Sequence, residues 1–289
     1  MDREPNPLPY ETLRLSVHER VATITLHRPE RRNAYTRRMG SELSLAYRRC
    51  DADDDIRAIV LTGTPPAFCA GADLTAGERT FTDPGQDFSA EGADPPAWRL
   101  RKPVIAAVNG HALGIGLTLA LQCDLCIMAV DANYGVVQVR RGMVGDGYSH
   151  WILPRLIGMS RAAYLLLTGA TIDGRRAYQL GLCHEALPAE QVLDAALGLA
   201  RAIAEHTAPV AVATSKRMLW SSFEYDAATV GALETEAHVA LMGHDDAREA
   251  MRAYLRRRTP AWTGRPSQLP ALDVNAGRAA NGAAPQPDR

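Results

Sequence analysis

The sequence lacks an excess of charge of either sign. Lysine and arginine together number 32, aspartate and glutamate 33, and the formal net charge is -1. Proteins that bind nucleic acid or an anionic membrane through their overall field carry a marked excess of basic residues. We therefore expect no nucleic-acid partner and no membrane partner, which leaves small molecules and other proteins.

Long apolar runs are also missing. A membrane-spanning helix needs roughly 18 consecutive apolar residues, and the longest candidate, residues 104–130, is interrupted by polar side chains such as Asn109 and Asp124. The first segment, MDREPNPLPYETL, has acids and prolines where a signal peptide has a basic start and an apolar core. These features predict a cytoplasmic protein.

The cysteines do not form the framework of a secreted protein. There are 5, an odd number, scattered between Cys50 and Cys183. Cys123 and Cys126 form a CxxC motif, but the sequence offers no second ligand pair at a spacing suited to a metal, and the motif adjoins the apolar run LCIMAV. We expect buried thiols in this region and no metal site.

What is present indicates a mixed α/β architecture. Short β-rich runs alternate with helical patterns at first, and the later pattern is helical throughout. We predict an α/β core over residues 10–190, a helical region over 191–264 and a disordered tail over 265–289. Residues 74–98, rich in Gly, Pro, Asp and Ser, predict a long mobile loop that acts as a lid.

Individual elements of the core are also predicted. The runs LRLSV, VATITLH, RAIVLTG and PVIAAVNG read as strands, and TRRMGSELSLAYRRC has the apolar spacing of a long helix.

Two glycine-containing segments suit a close approach of backbone to ligand. PPAFCAGADL follows a predicted strand, and GHALGIG breaks a strand and opens a helix near Gly116. Peptide N–H groups at a helix start carry partial positive charge, so the two turns together suggest an oxyanion hole. Taken singly, each turn is more often a packing feature. GHALGIG does not match the dinucleotide fingerprint, so we expect no nicotinamide cofactor.

Four separated motifs, in this order and spacing, resemble the crotonase superfamily of enoyl-CoA hydratases and isomerases. The resemblance covers roughly residues 13–264, and its motifs are VATITLHRPERRNAYT, PPAFCAGADL, KPVIAAVNGHALGIGLTLALQCDLCI and GLCHEALP with the helices after it. It implies a spiral core of ββα units with a C-terminal helical region that forms a homotrimer or a dimer of trimers. It also implies an acyl-CoA thioester substrate, with coenzyme A as part of the substrate and no tightly bound cofactor.

The resemblance also implies roles for particular residues. The thioester oxygen would be bound by the backbone N–H groups of Ala70 and Ile115. The candidate positions for contacts with substrate and CoA are Arg28, Arg32, Ala34, Ala72, Asp73, Gly114, Thr118 and Gln138. Tyr148, which is close to Asp146 in the sequence, is a further candidate for shaping the acyl pocket. For the arginines, a solvated basic face is an equally good interpretation.

The two glutamates of matching hydratases are replaced by Thr118 and Gln138. Neither side chain can accept and return a proton at neutral pH, so conventional hydration lacks its base. Asp146, in GMVGDGYSHW, falls where dienoyl-CoA isomerases keep a catalytic acid and 4-chlorobenzoyl-CoA dehalogenase keeps a nucleophilic aspartate. We therefore take Asp146 as the candidate base.

Asp146 has a structural alternative. An aspartate just before a helix is a favoured N-cap residue, and YSHWILPRL reads as a helix. If that helix begins at Gly147, His150 shares a face with Asp146, although a histidine in that setting is more often structural than catalytic.

The leading hypothesis is an acyl-CoA enzyme that stabilises a thioester enolate and moves a proton through Asp146, as an isomerase does. The alternatives are a hydratase with a non-standard site, a hydrolase or carbon–carbon lyase on an unusual acyl-CoA, and a non-catalytic acyl-CoA-binding protein.

Overall fold

The fold contains short strands in the first two thirds of the chain and long helices at its end. A computed structural model describes residues 10–82 and 88–270. The strands of this part are β1 (Leu13–His18), β2 (Val21–Leu26), β3 (Ala58–Gly63), β4 (Ala67–Cys69), β5 (Val104–Val108), β6 (His111–Leu113), β7 (Leu125–Ala129), β8 (Asn133–Gly135), β9 (Ile172–Asp173) and β10 (Glu185–Leu187). The α-helices are α1 (Arg37–Ala52), α2 (Ile115–Leu121), α3 (Ser149–Ile157), α4 (Met159–Thr168), α5 (Gly174–Leu180), α6 (Ala189–His206), α7 (Pro209–Ser221), α8 (Ala227–Met242) and α9 (Asp245–Leu255).

The chain divides into two compact units, one up to Ala202 and one from Ile203 onward. The division falls inside α6, whereas the sequence places the boundary at residue 190.

Two sheets build the first unit. The larger has the strand order β1-β2-β3-β5-β7-β10 and the smaller β4-β6-β8-β9. Only β1 and β2 run antiparallel in the larger sheet, and its other neighbours are parallel. After β3, β5 and β7 the chain moves at once into a short strand of the smaller sheet. This repeated step confirms the predicted α/β class.

The central strands are apolar because they are covered on both faces. Every residue of β3 and β5 is buried, as expected for parallel strands inside a sheet. The predicted strands β1, β2, β3 and β5 are all confirmed, as is α1, whose N-cap Thr36 accepts the Met39 N–H through its side chain.

Pairing between β4 and β6 brings the two glycine-containing turns together. These strands are parallel, with Ala67 opposite His111 and Cys69 opposite Ala112, so the turns that follow them lie side by side. Gly116 of α2 packs on the end of β4 so closely that a β-carbon there would lie 2.2 Å from the Cys69 carbonyl oxygen. Glycine at this position therefore lets the helix approach the strand.

The cysteines are all free and buried, which confirms the prediction of buried thiols at Cys123 and Cys126. Burial raises the pKa of the Cys126 thiol in β7 well above its ordinary value, as expected of inert core thiols. Within the described ranges, no helix combines the length and apolarity that a membrane crossing needs.

The second unit consists of helices and a closing loop. Asp246, at the start of α9, is buried and accepts the N–H groups of Thr263 and Gly264. Residues 266–268 form a short 3-10 helix. Residues 271–289 of the predicted tail, and residues 83–87 of the predicted lid, lie outside the described residues.

One buried acid fastens the first described residues to α1. Glu42 accepts the N–H groups of Glu11 and Thr12 at 3.1 and 2.9 Å, the Thr12 hydroxyl at 2.6 Å and the Arg38 Nε at 2.6 Å. Burial raises the pKa of Glu42, but these hydrogen bonds outweigh it, so the pKa is lowered from its ordinary value of 4.5. The ionised form is thus favoured by folding.

Replacing Glu42 by glutamine should lower the free energy of unfolding at pH 7 by about 1–3 kcal/mol, since buried donors lose their acceptor. A lowered pKa contributes stability above the unfolded-state value that is lost as the pH falls through the folded-state value. The difference between Glu42→Gln and wild type, measured by urea unfolding, should therefore shrink below pH 4.5. Glu11→Gln, at an exposed side chain, is the control, and a difference that is constant with pH contradicts the assignment.

Candidate active site

A cavity of about 230 Å³ lies where the two glycine-containing turns meet the loop that carries Asp146. It brings together six of the site residues predicted from sequence, namely Ala70, Ala72, Gly114, Ile115, Gln138 and Asp146. Apolar side chains from the predicted lid and from the loop before Asp146 complete the lining: Leu74, Phe81, Phe88, Met143 and Val144. These five side chains are all exposed, and such a patch around a cavity is typical of a site for an apolar ligand.

In the first turn, the Ala70 N–H is already engaged. It donates to the Arg32 carbonyl oxygen at 3.1 Å, so the prediction that it is a free oxyanion donor is wrong. Tyr35 forms a parallel β-bridge with this turn. Its N–H donates to the Gly71 carbonyl oxygen, and its carbonyl oxygen accepts the Asp73 N–H. In such a bridge the intervening residue, here Ala72, directs its own N–H away from Tyr35. The donor that this turn offers the cavity is therefore Ala72.

In the second turn, Gly114 starts α2 with a backbone of φ 53° and ψ -126°. An L side chain rarely adopts this conformation, so glycine is required. Ile115 follows as the first residue of α2, and its N–H has no acceptor within the helix. An amide at a helix start carries partial positive charge, and Ile115 lines the cavity, so its role as an oxyanion donor stays a prediction.

Asp146 places a carboxylate in this cavity, hydrogen-bonded by a neighbour. Its Oδ1 accepts the Thr118 hydroxyl at 2.8 Å. Burial raises the pKa of Asp146, and the nearby Gln138 and Thr118 offset part of that rise. A carboxyl with a raised pKa is a stronger base once ionised, as a proton-transfer group requires.

The capping alternative for Asp146 is wrong. α3 begins at Ser149 with Tyr148 as its N-cap residue, and no side chain caps it. Because the helix starts later than Gly147, the predicted relation of Asp146 to His150 also fails, and His150 is exposed.

Thr118 suits both protonation states of Asp146. Its side chain is fully buried, and its hydroxyl oxygen lies 2.8 Å from Asp146 Oδ1 and 3.2 Å from the Ile115 carbonyl oxygen. A hydroxyl has one proton to donate. It can go to the carboxylate when Asp146 is ionised, and to Ile115 when a protonated Asp146 donates to Thr118. In both protonation states, Thr118 Oγ1 and Asp146 Oδ1 therefore stay hydrogen-bonded to each other.

Gly147 fixes the Asp146 loop in position. Its N–H donates to the Ala90 carbonyl oxygen at 2.7 Å, and a β-carbon there would lie 2.5 Å from Thr118 Oγ1. Gln122 Nε2 donates to the Glu91 carbonyl oxygen at 3.0 Å. The backbone around residues 90 and 91 is thereby held against the loop that carries the carboxylate.

Arg28 and Asp73 bind each other at 2.9 Å. Arg28 also donates to the Ala34 carbonyl oxygen at 2.6 Å. Burial raises the pKa of Asp73, but hydrogen bonds from Thr75 and Arg28 outweigh it and leave that pKa below its ordinary value. This pair is therefore structural, and it stabilises the first turn. Contacts of Arg28, Arg32, Ala34 and Asp73 with CoA remain predictions.

Of two tyrosines near the site, the one that lines the cavity is Tyr35 and not the predicted Tyr148. Tyr148, a predicted pocket residue, is absent from the cavity lining in the described part of the chain and packs edge-on against Trp98 at 5.8 Å. Tyr35 does line the cavity and donates its hydroxyl to the Gly92 carbonyl oxygen at 2.8 Å. Burial and the nearby Asp146 raise the pKa of Tyr35 to about 12. Nothing in the sequence around Tyr35 distinguishes it as a site residue.

Replacing Thr118 by valine removes the hydroxyl that stabilises the ionised carboxylate, so the pKa of Asp146 should rise further. With Asp146 as the base, activity then falls more at pH 6 than at pH 8, and the acid limb of the kcat/KM profile moves to higher pH. Thr118→Ser, which keeps the hydroxyl, is the control and should retain the wild-type limb. Coincident profiles for the valine and serine variants contradict the role assigned to the hydroxyl.

Comparison with known proteins bears on this site. The sequence model of the enoyl-CoA hydratase/isomerase family matches residues 16–265. A probable enoyl-CoA hydratase of Mycobacterium leprae is 36% identical over 259 residues, which cover 89% of this chain and 99% of that protein. The 1,2-epoxyphenylacetyl-CoA isomerase of Escherichia coli is 35% identical over 256 residues, which cover 86% and 97%.

A solved structure shares the fold. The crystal structure of a probable enoyl-CoA hydratase/isomerase from Mycobacterium abscessus has a TM-score of 0.85 and 48% identity, covering 88% of this chain and 99% of that one. The family match spans the turns, the cavity and most of the helical region. The chain therefore belongs to the enoyl-CoA hydratase/isomerase family and is an acyl-CoA-processing enzyme.

Proposed function

We propose that the protein shifts a carbon–carbon double bond in an enoyl-CoA, using Asp146 as the single proton-transfer group. The observation that carries this proposal is the half-buried Asp146 carboxylate in the cavity, which accepts a hydrogen bond from Thr118 at 2.8 Å. No other carboxylate lines the cavity in the described parts of the chain. Positions 118 and 138 hold threonine and glutamine, so the chemistry has one acid–base group to work with.

The thioester oxygen is assigned to the N–H groups of Ala72 and Ile115. Proton loss from the α-carbon of a thioester gives an enolate whose charge collects on that oxygen. Two fixed amide donors stabilise this charge more than they stabilise the neutral carbonyl, and removing one such donor costs about 10²- to 10³-fold in rate. This assignment is supported by the turns after β4 and β6, which lie side by side and contribute Ala72 and Ile115 to the cavity lining.

An isomerase needs only one base, because the proton removed from one carbon is returned to another. Ionised Asp146 takes a proton from C2 of a 3-enoyl-CoA, and the electron pair delocalises over the enolate as far as C4. Protonated Asp146 then returns the proton to C4, the double bond becomes C2–C3, and the carboxylate is regenerated. In the intermediate state, the Thr118 hydroxyl oxygen can accept a hydrogen bond from protonated Asp146 while its own proton is donated to the Ile115 carbonyl oxygen.

Hydration is the second candidate, because many relatives carry hydratase names. In this reading Gln138 orients a water molecule and Asp146 activates it. A hydrolase, a carbon–carbon lyase and a non-catalytic acyl-CoA-binding protein would give distinct outcomes in the experiment below: oxygen from water in the product acid, a shortened acyl chain, or binding without exchange.

We also propose the form of the substrate, the assembly and the cellular location of the enzyme. Coenzyme A enters as part of the substrate, with no tightly bound cofactor. The helical region is assigned to assembly as a homotrimer or a dimer of trimers, and the protein to the cytoplasm.

Asp146→Asn should abolish double-bond shift and α-carbon exchange in D₂O, with a loss of at least about 10²-fold, since general-base catalysis contributes 10²- to 10⁴-fold. Affinity for the acyl-CoA should change little, because the thioester contacts remain. Wild type and variant are incubated with a panel of 2- and 3-enoyl-CoAs, and exchange and products are read by mass spectrometry. Asp131→Asn, the same change at an exposed acid, is the control.

Stability distinguishes a chemical loss from a folding defect. Because the folded-state pKa of Asp146 is raised, ionisation of Asp146 destabilises the folded state, and wild type loses stability as the pH rises through that pKa. Asp146→Asn removes this loss and should be at least as stable as wild type at pH 8. An inactive variant that is unfolded, or an active one that is folded, contradicts the proposal.

A further inference from the structure

Arg141 places a positive charge in the wall of the cavity. It is exposed, and among the described residues of the lining it is the only cation, as Asp146 is the only anion. Its guanidinium forms no hydrogen bond or ion pair within residues 10–82 and 88–270. The five N–H donors of this group are therefore available to a ligand in the cavity.

The 3-10 helix Val137–Arg141 determines which way this charge faces. Residues three apart in such a helix eclipse one another, so Arg141 lies on the same face as Gln138, and both line the cavity. The adjacent Arg140 points elsewhere, because its Nε donates to the Thr168 carbonyl oxygen at 3.0 Å. Of these two consecutive arginines, Arg141 is the one that faces the cavity.

The same helix sets the distance between this charge and the reacting carbons. Gln138 marks the reactive end of the cavity, since it is near Asp146, and a β-carbon at Gly114 would lie 3.5 Å from its amide. One turn of 3-10 helix rises about 6 Å, so the Arg141 backbone lies about that far along the axis from Gln138. A ligand group that meets Arg141 is therefore several carbons beyond the thioester.

We propose that Arg141 binds a carboxylate at the far end of the acyl chain, which makes the substrate the CoA thioester of a dicarboxylic acid. This inference rests on the proposed function for placing the acyl chain in the cavity. A guanidinium presents its donors as a planar fork that fits the two oxygens of a carboxylate. A terminal carboxylate is compatible with the double-bond shift, because carbons C2 to C4 carry no substituent. A 3-hexenedioyl-CoA, with its carboxylate at C6, is such a substrate.

The positions of the two charges favour the end of the chain as the site of the carboxylate. A ligand carboxylate next to Asp146 would be repelled, because two like charges at short distance disfavour each other's ionised form. At Arg141 the carboxylate lies a helical turn away from the base, and the intervening methylene groups pack on apolar lining residues such as Met143 and Val144. A phosphate of CoA is the other anion that a guanidinium binds well, and the experiment separates these two sources.

The test compares hexanoyl-CoA with adipyl-CoA, which has the same chain length and a terminal carboxylate. Both acyl chains are saturated, so neither has a double bond to shift. Dissociation constants are measured by titration calorimetry at low and high ionic strength for wild type and for Arg141→Gln, which removes the charge. Arg140→Gln, the same change at the arginine that faces away from the cavity, is the matched control.

Adipyl-CoA should bind Arg141→Gln at least about fivefold more weakly than it binds wild type or Arg140→Gln, while hexanoyl-CoA should bind all three proteins equally. The difference should shrink at high ionic strength, because the pair is exposed to solvent. Equal losses for both ligands in Arg141→Gln would assign this arginine to a phosphate of CoA. That result, or unchanged affinity for adipyl-CoA, overturns the proposal.

Failure of this proposal is distinguishable from failure of the proposed function. Binding of a saturated thioester requires no proton transfer, so the ratio of affinities decides the role of Arg141 even if no double bond is shifted. If 3-hexenoyl-CoA is isomerised while the affinity for adipyl-CoA does not depend on Arg141, the dicarboxylate proposal fails and Asp146 keeps its role.

Discussion

A buried carboxylate is unfavourable unless hydrogen bonds stabilise it, and the bond from Thr118 to Asp146 does so in the cavity of this protein. Removal from water makes Asp146 a stronger base, while the hydroxyl keeps the charged form accessible. A fully solvated acid at this position would be a weaker base, and one without these hydrogen bonds would have a pKa raised further. The chemistry proposed here depends on the balance between burial, which raises the pKa of Asp146, and the contacts with Gln138 and Thr118 that offset part of that rise.

Close packing at glycines places the two groups of that bond. Gly116 lets α2 rest on the end of β4, and Gly147 lets the following loop rest on Thr118. A side chain at either position would displace the threonine, the carboxylate or the turn that ends at Ile115. The backbone contacts that orient the amides of Ala72 and Ile115 thus also set the distance from Thr118 to Asp146. In the proposed mechanism, the oxyanion donors and the base are therefore held by one packed unit, as preorganised catalysis requires.

Much of this arrangement follows from sequence because its signals are local. Buried strands such as β3 and β5 are apolar runs, and the glycine turns after β4 and β6 can be recognised from their residue types. The errors concern contacts between distant segments. Which amide of the first turn is free depends on Arg32, far away in the chain, and which side chain Asp146 meets depends on how α2 packs. Tyr148 lies near Asp146 in the sequence, which suggests a pocket residue, but its ring packs against Trp98.

The central claim, that one carboxyl group both removes and returns the proton, can be tested by following a label. A 3-enoyl-CoA with deuterium at C2 is turned over once by excess enzyme in H₂O, and the product is analysed by mass spectrometry and deuterium NMR. A single buried base predicts that part of the deuterium is found at C4 of the 2-enoyl product. A product with no deuterium at C4, or one that carries a hydroxyl at C3, would contradict the account.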